Sequence, residues 1–583
     1  MFEFVITKKK RSSSTINEKF GFIDVPGTHV NNLKFSIAND INIELLYYKL
    51  VAIEDFLHEN ENIITLFRGS VLSEKFIKPV DYVNQNNIEN IKRLRGHFNI
   101  ISIDKKNKSI RLVNDYFGLK PVYYGEDDSH YFISSSLHLL KRFDLKIDKS
   151  SVIEKIIFHH NILDNTSYSN VKTLKESTIL KLGNSFSCES YHDWVDYFTK
   201  ASTNKRFSFD EYRTLFNNKV KNLANKDETN LATLTGGHDG RAVISAFIKG
   251  NLKFESFSFG REGSENTNIP EDVAEKCGFI HSSIYLHEEF EKQYPSNCEL
   301  VAKLADSELP FTQQPTIFAV KYFSQRFSRV FTGLLAGETV GPVHAKSDYI
   351  NNEYFETIFE HKSINSLPEI FNLSNEEKHQ IIKSITERIN IRRNQLKPLQ
   401  ESSNSHLIYL ADMITWGFRK FYAYQMHLMR YHLENIPVFY DFDLVNLLVN
   451  SSYNNIYRNS YMSLFHRRNA RMIQLNIINN NSKCLSNQAI DRGYSPREAT
   501  SFIHFLPKII KYFKRRKNIS KGKNVPDFLS HEWTGLMKDY LINKEFNDDL
   551  INKIKENIGA NIDYKLSEYD IISITNYMFL KKK

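Results

Sequence analysis

Residues 231–243, LATLTGGHDGRAV, restrict the fold of this chain more than any other stretch. A short apolar run, Leu231 to Leu234, passes directly through two glycines and an aspartate into a segment, 241–248, that reads as a helix. A strand feeding straight into a helix is the first half of a parallel crossover, because the helix carries the chain back along the sheet. The segments that follow keep the alternation: FESFSFG predicts a strand, residues near 270–277 a helix, and HSSIYL another strand. An α/β architecture with a parallel sheet is therefore expected from about residue 208 onward. In such open sheets, ligands sit at the carboxyl ends of strands, where the strand order reverses.

TLTGGHDGR falls at such an end. The loop offers backbone N–H groups and the positive end of a helix dipole to an anion, and its glycines let the backbone approach oxygens closely. A carboxylate in an anion loop is repelled unless a cation bridges it, so Asp239 points to Mg²⁺ between carboxylate and phosphate. An ordinary strand-to-helix turn with Asp239 as a cap is the competing reading.

The rest of the chain sets the frame. At 583 residues it exceeds one ordinary core, so two or more domains are expected. From residue 1 to about 195 short apolar runs such as HFNIISI, SIRLVN and HYFISSS predict packed sheets. SYHDWVDYFTKASTNKRFSFD reads as a polar connector, and beyond about residue 345 the pattern is mostly helical. A hydrophobic content of 41% excludes a disordered chain, and a net charge of +9 is too small for a dedicated nucleic-acid binder. The four cysteines show no C-x-x-C pair and no zinc-ligand spacing, which predicts a reduced, cytoplasmic protein. No apolar run reaches the roughly 18–20 residues of a membrane span, and the start, MFEFVITKKKRSSS, reverses the charge order of a secretory signal. The basic stretch 506–524 reads as a solvated helical face, with docking of an acidic substrate, carrier or leader peptide as the alternative.

Several segments together resemble the asparagine-synthetase family. LTGGHDGR resembles its S-G-G-x-D-S pyrophosphate loop, and residues 256–286 its adenine-binding strand with the following helix and strand. SELPFTQQP (307–315), VFTGLLAGETVG (330–341), HLENIPVFYD (432–441) and DRGYSP (491–496) are similar to later motifs in the same order. LRGHFNIISIDKKNKSIRLVNDYFGLKPVYY with YFISSSLHLL resembles the family's glutaminase domain, with Asp115, Phe117, Gly118, Lys120, Pro121, Tyr123 and Tyr124 in register.

The resemblance implies an Ntn-hydrolase-like β-sandwich over residues 1–195. A parallel-sheet ATP-pyrophosphatase domain with a helical C-terminal part would follow over 205–583. It implies ATP and Mg²⁺ as cofactors. Thr235, Gly236, Gly237, Asp239, Gly240, Arg241, Ser258, Gly260, Thr332 and Gly333 would hold the nucleotide, and Asp239 and Glu338 the metal. Glu434 stands at the family's general-base position and Arg492 for its late basic residue; a solvated Glu and a loop Arg are the plain alternatives. His238 occupies a variable position, and His281 reads as a packed strand residue.

Three departures gather at the phosphate and metal loops: Gly240 for Ser, Leu334 at an acidic position, and Gly337 at the second carboxylate position. Family glutaminases use an N-terminal Cys as nucleophile. Here Phe2 stands in its place, no Cys precedes Cys188, and Arg68 stands where the substrate-holding Asn would be. The expectation is an AMP-forming ligase that joins a small-molecule or peptide carboxylate to ammonia or an amine without glutamine hydrolysis. A nucleotide-binding scaffold and an ammonia-dependent asparagine synthetase stay open, as does a homodimer.

Overall fold

The computed structural model describes residues 2–10, 30–37, 40–48, 53–72, 88–309, 313–341, 346, 349–365, 367, 373–458 and 471–500. The basic stretch 506–524 lies outside the described residues, as do residues 310–312 of SELPFTQQP.

Among the described residues, twelve strands build two antiparallel sheets. β1 (Phe2–Lys9), β2 (Val30–Ile37), β3 (Ile41–Tyr48), β8 (Tyr123–Glu126), β9 (His130–Ser134) and β10 (Val171–Thr173) form the first, in the order β10-β8-β9-β1-β3-β2. β4 (Leu57–Glu59), β5 (Ile63–Leu72), β6 (Arg95–Asp104), β7 (Ser109–Asn114), β11 (Thr178–Leu182) and β12 (Phe186–Ser190) form the second, in the order β12-β11-β7-β6-β5-β4. Alternation along the strands explains the sandwich: Phe2, Phe4 and Ile6 of β1 share one buried core with Leu66, Ile101, Ile103, Leu112 and Leu180 of the facing sheet. Val5, between them, points the other way and packs with Leu304, Tyr424 and Leu428.

Helices follow, then a five-stranded parallel sheet. Its strands are β13 (Asn230–Thr233), β14 (Phe254–Gly260), β15 (His281–Tyr285), β16 (Arg329–Thr332) and β17 (Glu434–Pro437), in the order β15-β14-β13-β16-β17. The chain builds outward from β13 to one edge, then restarts with β16 on its other side. The two central strands are thus those from which connections diverge, which is where a cleft opens. Leu231, Ala232, Val330 and Phe331 of these strands are buried. The sandwich with its antiparallel sheets and the later parallel sheet match the expected mixed α/β class.

The connector departs from its expectation. Asp193 caps helix Trp194–Thr199, and Trp194 and Phe198 are buried in the largest core, because two aromatics in a polar run suffice to anchor it. The long helical stretch Ile408–Leu428 runs through a π-helical segment, Met413–Tyr422, where the register shifts and Trp416 stacks on Tyr354 with ring centroids 3.6 Å apart.

The two halves meet through buried ion pairs. Arg430 Nε lies 2.9 Å from Glu3 Oε1, which also accepts from Arg68 Nη2 at 3.0 Å. Arg388 pairs with Glu154, and Arg419 Nη2 lies 2.8 Å from Asp164. Arg430→Ala leaves the Glu3–Arg68 cluster short of a cation and is expected to cost about 3–5 kcal/mol in denaturant unfolding. Lys200→Ala, which removes the exposed pair with Asp196, is expected to change stability little.

Candidate functional site

At the carboxyl ends of β13 and β16 the structure brings together two loops that the sequence reading singled out. Thr233 leads through residues 235–238 into helix Asp239–Lys249, whose Ala242, Val243, Ile244, Ala246 and Phe247 are buried. Thr332 leads through Gly333 and Leu334 into helix Ala336–Val340. The loops interlock without side chains between them. A Cβ on Gly333 would lie 2.7 Å from both Asp239 Cβ and Gly240 N, and one on Gly240 would lie 2.7 Å from the Thr233 carbonyl. Gly240 is therefore a close-approach glycine, which accounts for the missing Ser: a side chain there has no room. Leu335, at φ 68°, holds a left-handed backbone at the start of its helix, a strained conformation for a branched side chain. Leu334 stands at the expected acidic position because it packs against the main core. Gly337 has open space, with nothing within 4 Å of an added Cβ.

Asp239 is the electrostatic centre. Its Oδ1 accepts from Gln474 Nε2 at 3.2 Å. Burial, then the charge of Glu338 and more weakly that of Asp491, push its pKa up to about 7, against the pull of Gln474 and Arg471. Glu338 in turn accepts from Tyr422 Oη at 3.0 Å. Carboxylates held near one another at a helix N-terminus make a place for a cation rather than for a further anion. Among the described residues no three His, Cys, Asp or Glu side chains form a metal cage. The glycine cradle and the paired carboxylates fit a magnesium-bound phosphate.

A third loop closes on the first. Asp491 N donates to the Gly236 carbonyl at 3.0 Å, which brings Arg492 beside the glycine loop, half-exposed. Arg241 does not face this loop as a phosphate ligand. Its guanidinium is buried and donates to the Gln488 and Ala489 carbonyls at 2.8 and 2.6 Å, and burial lowers its pKa to about 10. Thr235 is exposed at the loop tip, and its Oγ1 accepts from Gly237 N at 3.4 Å. Thr332 is buried and donates to Asn435 Oδ1 at 2.7 Å. Ser258 bonds to His281 Nε2 at 3.1 Å, and Gly260 ends β14. His281 is a packed residue as expected, its pKa lowered to about 4 by burial. His238 is buried.

Glu434 is not brought to this cluster. It opens β17 in register with Arg329, at the amino end of a sheet whose glycine loops lie at the carboxyl end. Its Oε1 accepts from Lys120 Nζ at 2.8 Å. Burial raises its pKa, but Lys120 together with other nearby positive charges, Arg329 among them, outweighs burial and the net shift is downward. Gln474, Tyr422 and Asp491 are the site residues that sequence reading missed. Asp491 opens the motif DRGYSP, in which only Arg492 had been singled out, whereas Gln474 and Tyr422 sit in helices with no local signature.

In the sandwich, Phe2 is buried and its ring lies 4.8 Å from that of Phe56. Behind it, Glu3, Arg68 and Arg430 form a closed cluster. Arg68 also donates to Asn99 Oδ1 at 3.1 Å and the Pro121 carbonyl at 3.3 Å, and Ser135 Oγ donates to Glu3 Oε2 at 2.8 Å. Burial pushes the Glu3 carboxyl up, yet Arg430 and Arg68 hold it below the ordinary range. Asp115 accepts from Phe117 N and Phe98 N at 2.8 and 3.2 Å, and Tyr123 Oη lies 2.8 Å from Tyr424 Oη. The motif residues thus build a turn and an internal interface.

Residues 80–192 match the glutamine amidotransferase domain family. Within that amidotransferase-like segment lie Asp115, Gly118, Lys120 and Tyr123. No curated protein matches the chain. Two solved structures are similar at 8% identity. One is the allosteric regulatory enzyme of purine biosynthesis, with a TM-score of 0.17, covering 38% of this chain and 52% of that one. The other is glutamine phosphoribosylpyrophosphate amidotransferase from B. subtilis complexed with ADP and GMP, with a TM-score of 0.19, covering 65% and 82%. The chain spans about half the length of the first. The cysteines correct one expectation: Cys277 and Cys484 are joined in a disulfide across 207 residues, a pairing that no local spacing signals. No helix among the described residues is long and apolar enough to cross a membrane.

The raised pKa of Asp239 has a thermodynamic consequence in metal-free buffer. Its folded value, about 7, lies above the unfolded 3.8, so stability present below pH 3.8 is lost as pH rises through about 7. Asp239→Asn is expected to melt with the parent protein at low pH and several degrees above it beyond pH 7. Equal melting at both ends of the pH scale contradicts the raised pKa.

Proposed function

We propose that this chain is an ATP-dependent, AMP-forming carbon–nitrogen ligase of the asparagine-synthetase type that works without hydrolysing glutamine. The observation that carries the reading is the interlock of the Gly236–Gly240 and Gly333 loops at the switch of a parallel sheet, with Asp239 and Glu338 beside it. Bound ATP supplies the adenylyl group that activates a carboxylate and the pyrophosphate that leaves. The backbone of Gly236 and Gly237 and the N-terminus of helix Asp239–Lys249 hold the phosphate oxygens. Asp239 and Glu338 hold Mg²⁺, and Tyr422 orients Glu338 through its 3.0 Å hydrogen bond. Arg492, next to the Asp491 that docks on Gly236, would supply positive charge to a pyrophosphate held there. Arg241 acts through the loop it braces.

Phe2 and the Glu3–Arg68–Arg430 cluster support the second half of the proposal. Phe2 is a buried phenyl ring with no nucleophilic atom, and the charges of Glu3 and Arg68 beside it are taken up in joining the two halves. The amidotransferase-like segment is then a scaffold, and nitrogen comes from ammonia or from an amine. With Glu434 held by Lys120, the incoming amine gives up its proton elsewhere, to solvent or to the substrate's own groups. The placement of Glu434 and the open space at Gly337 also favour a second reading, a nucleotide-binding scaffold that does not turn over.

ATP–pyrophosphate exchange with a panel of small-molecule and peptide carboxylates separates these. The ligase reading expects magnesium-dependent exchange with one carboxylate class, reduced about 100-fold, or roughly 2.7 kcal/mol, in Asp239→Ala. ATP binding without exchange supports the scaffold, and aspartate-dependent exchange with ammonia-driven asparagine formation narrows the ligase to an asparagine synthetase. Glutamine hydrolysis at ordinary enzyme rates contradicts the account of the N-terminal half.

A further inference from the structure

The disulfide sits one short step from the proposed phosphate site. Cys277 ends helix Glu265–Cys277, which packs on β14 and β15, and Cys484 lies on helix Lys483–Asn487. Gln488 follows that helix and faces both ways. Its side-chain amide lies 3.9 Å from Cys484 Sγ, while its carbonyl accepts from Arg241 at 2.8 Å. Ala489 accepts the second Arg241 bond, and Ile490 N donates to the Tyr494 carbonyl at 2.9 Å, closing the loop on itself. Asp491 then docks on Gly236 so closely that an added Cβ there would lie 3.0 Å from the Asp491 Cβ. One covalent bond, one arginine fork and one backbone hydrogen bond thus run in sequence from Cys277 to the glycine loop.

We propose that Cys277–Cys484 is a redox clamp on the loop 488–495. With the bond closed, Asp491 and Arg492 are held against residues 235–239. With it open, helix Lys483–Asn487 detaches from helix Glu265–Cys277, and the loop keeps only its noncovalent ties. The affinity of the glycine loop for a pyrophosphate-bearing ligand then falls. This second consequence rests on the phosphate reading of the site; the clamp itself does not.

The chemistry is a balanced exchange with a dithiol reductant. One thiolate of the reductant attacks a sulfur of the bond, forming a mixed disulfide and releasing the other cysteine as thiolate, which takes a proton. The reductant's second thiolate displaces the remaining cysteine and closes a disulfide within the reductant. Two electrons and two protons pass to the protein. Both bonded cysteines are half-buried, within reach of a small dithiol. Cys188, on β12, and the buried Cys298 take no part in the bond.

The test uses the full chain, oxidised and after dithiothreitol treatment, with Cys277→Ser and Cys484→Ser variants. Two quantities are read: the rate of tryptic cleavage after Arg492, and the binding of magnesium pyrophosphate. Reduction is expected to raise cleavage about 10-fold, as a loop freed from one anchor opens more often, and to weaken pyrophosphate binding by a similar factor. Both serine variants should behave as reduced protein whether or not the dithiol is present. Equal cleavage in all forms overturns the clamp, as does labelling of four thiols before any reductant is added. A cleavage response without pyrophosphate binding in either state supports the clamp and contradicts the phosphate reading.

Discussion

Two loops at the centre of the parallel sheet touch backbone to backbone, and the rest of the candidate site depends on that contact. Gly333 abuts Asp239 and Gly240, and Gly240 abuts the Thr233 carbonyl. With no side chain between them, the end of β16 presses against the first turn of helix Asp239–Lys249. That sets Asp239 within electrostatic reach of Glu338. The strained Leu335 backbone on the second loop is the conformational cost of this approach. The third loop, tied through Arg241 and Asp491, closes against Gly236 of the first loop.

The N-terminal half contributes in a different way. Its motif residues retain the turn of an amidotransferase-like domain, but their polar contacts serve the junction with the second half. Lys120 reaches Glu434, Tyr123 reaches Tyr424, and Arg68 joins Glu3, Arg430 and His427. Buried charges of this kind are costly to desolvate and costly to leave unpaired, so the two halves constrain each other. Through these contacts the sandwich braces the sheet that carries the two glycine loops.

How much of this was legible in the sequence differs by kind of residue. The glycine loop, the helix that follows it and the alternation of strands were legible because local periodicity and turn chemistry carry them. That Asp239 and Glu338 lie near each other was expected, because each sits in a recognisable loop at the end of a neighbouring strand. The role of Gly240 was not: in the sequence it reads as a lost hydroxyl, and only the packing shows that Thr233 leaves no room for one. Arg241 read as a phosphate ligand by proximity in sequence, yet helix geometry turns it toward Gln488 and Ala489. Glu434 read as a catalytic base from its motif, but the register of β17 places it at the far end of the strands. Gln474, Tyr422 and the Cys277–Cys484 bond were illegible because each depends on segments far apart in sequence meeting in space.

The most direct measurement of the central claim is equilibrium binding of magnesium ATP to the parent chain and to Gly333→Val, with circular dichroism confirming that both are folded. The contact between the loops leaves no space for the valine side chain, so it should be accommodated only by driving the second loop off Asp239. The account expects saturable binding by the parent chain and its loss in a Gly333→Val protein that retains its secondary structure. Absence of binding by the parent chain, or undiminished binding by the folded variant, would contradict it.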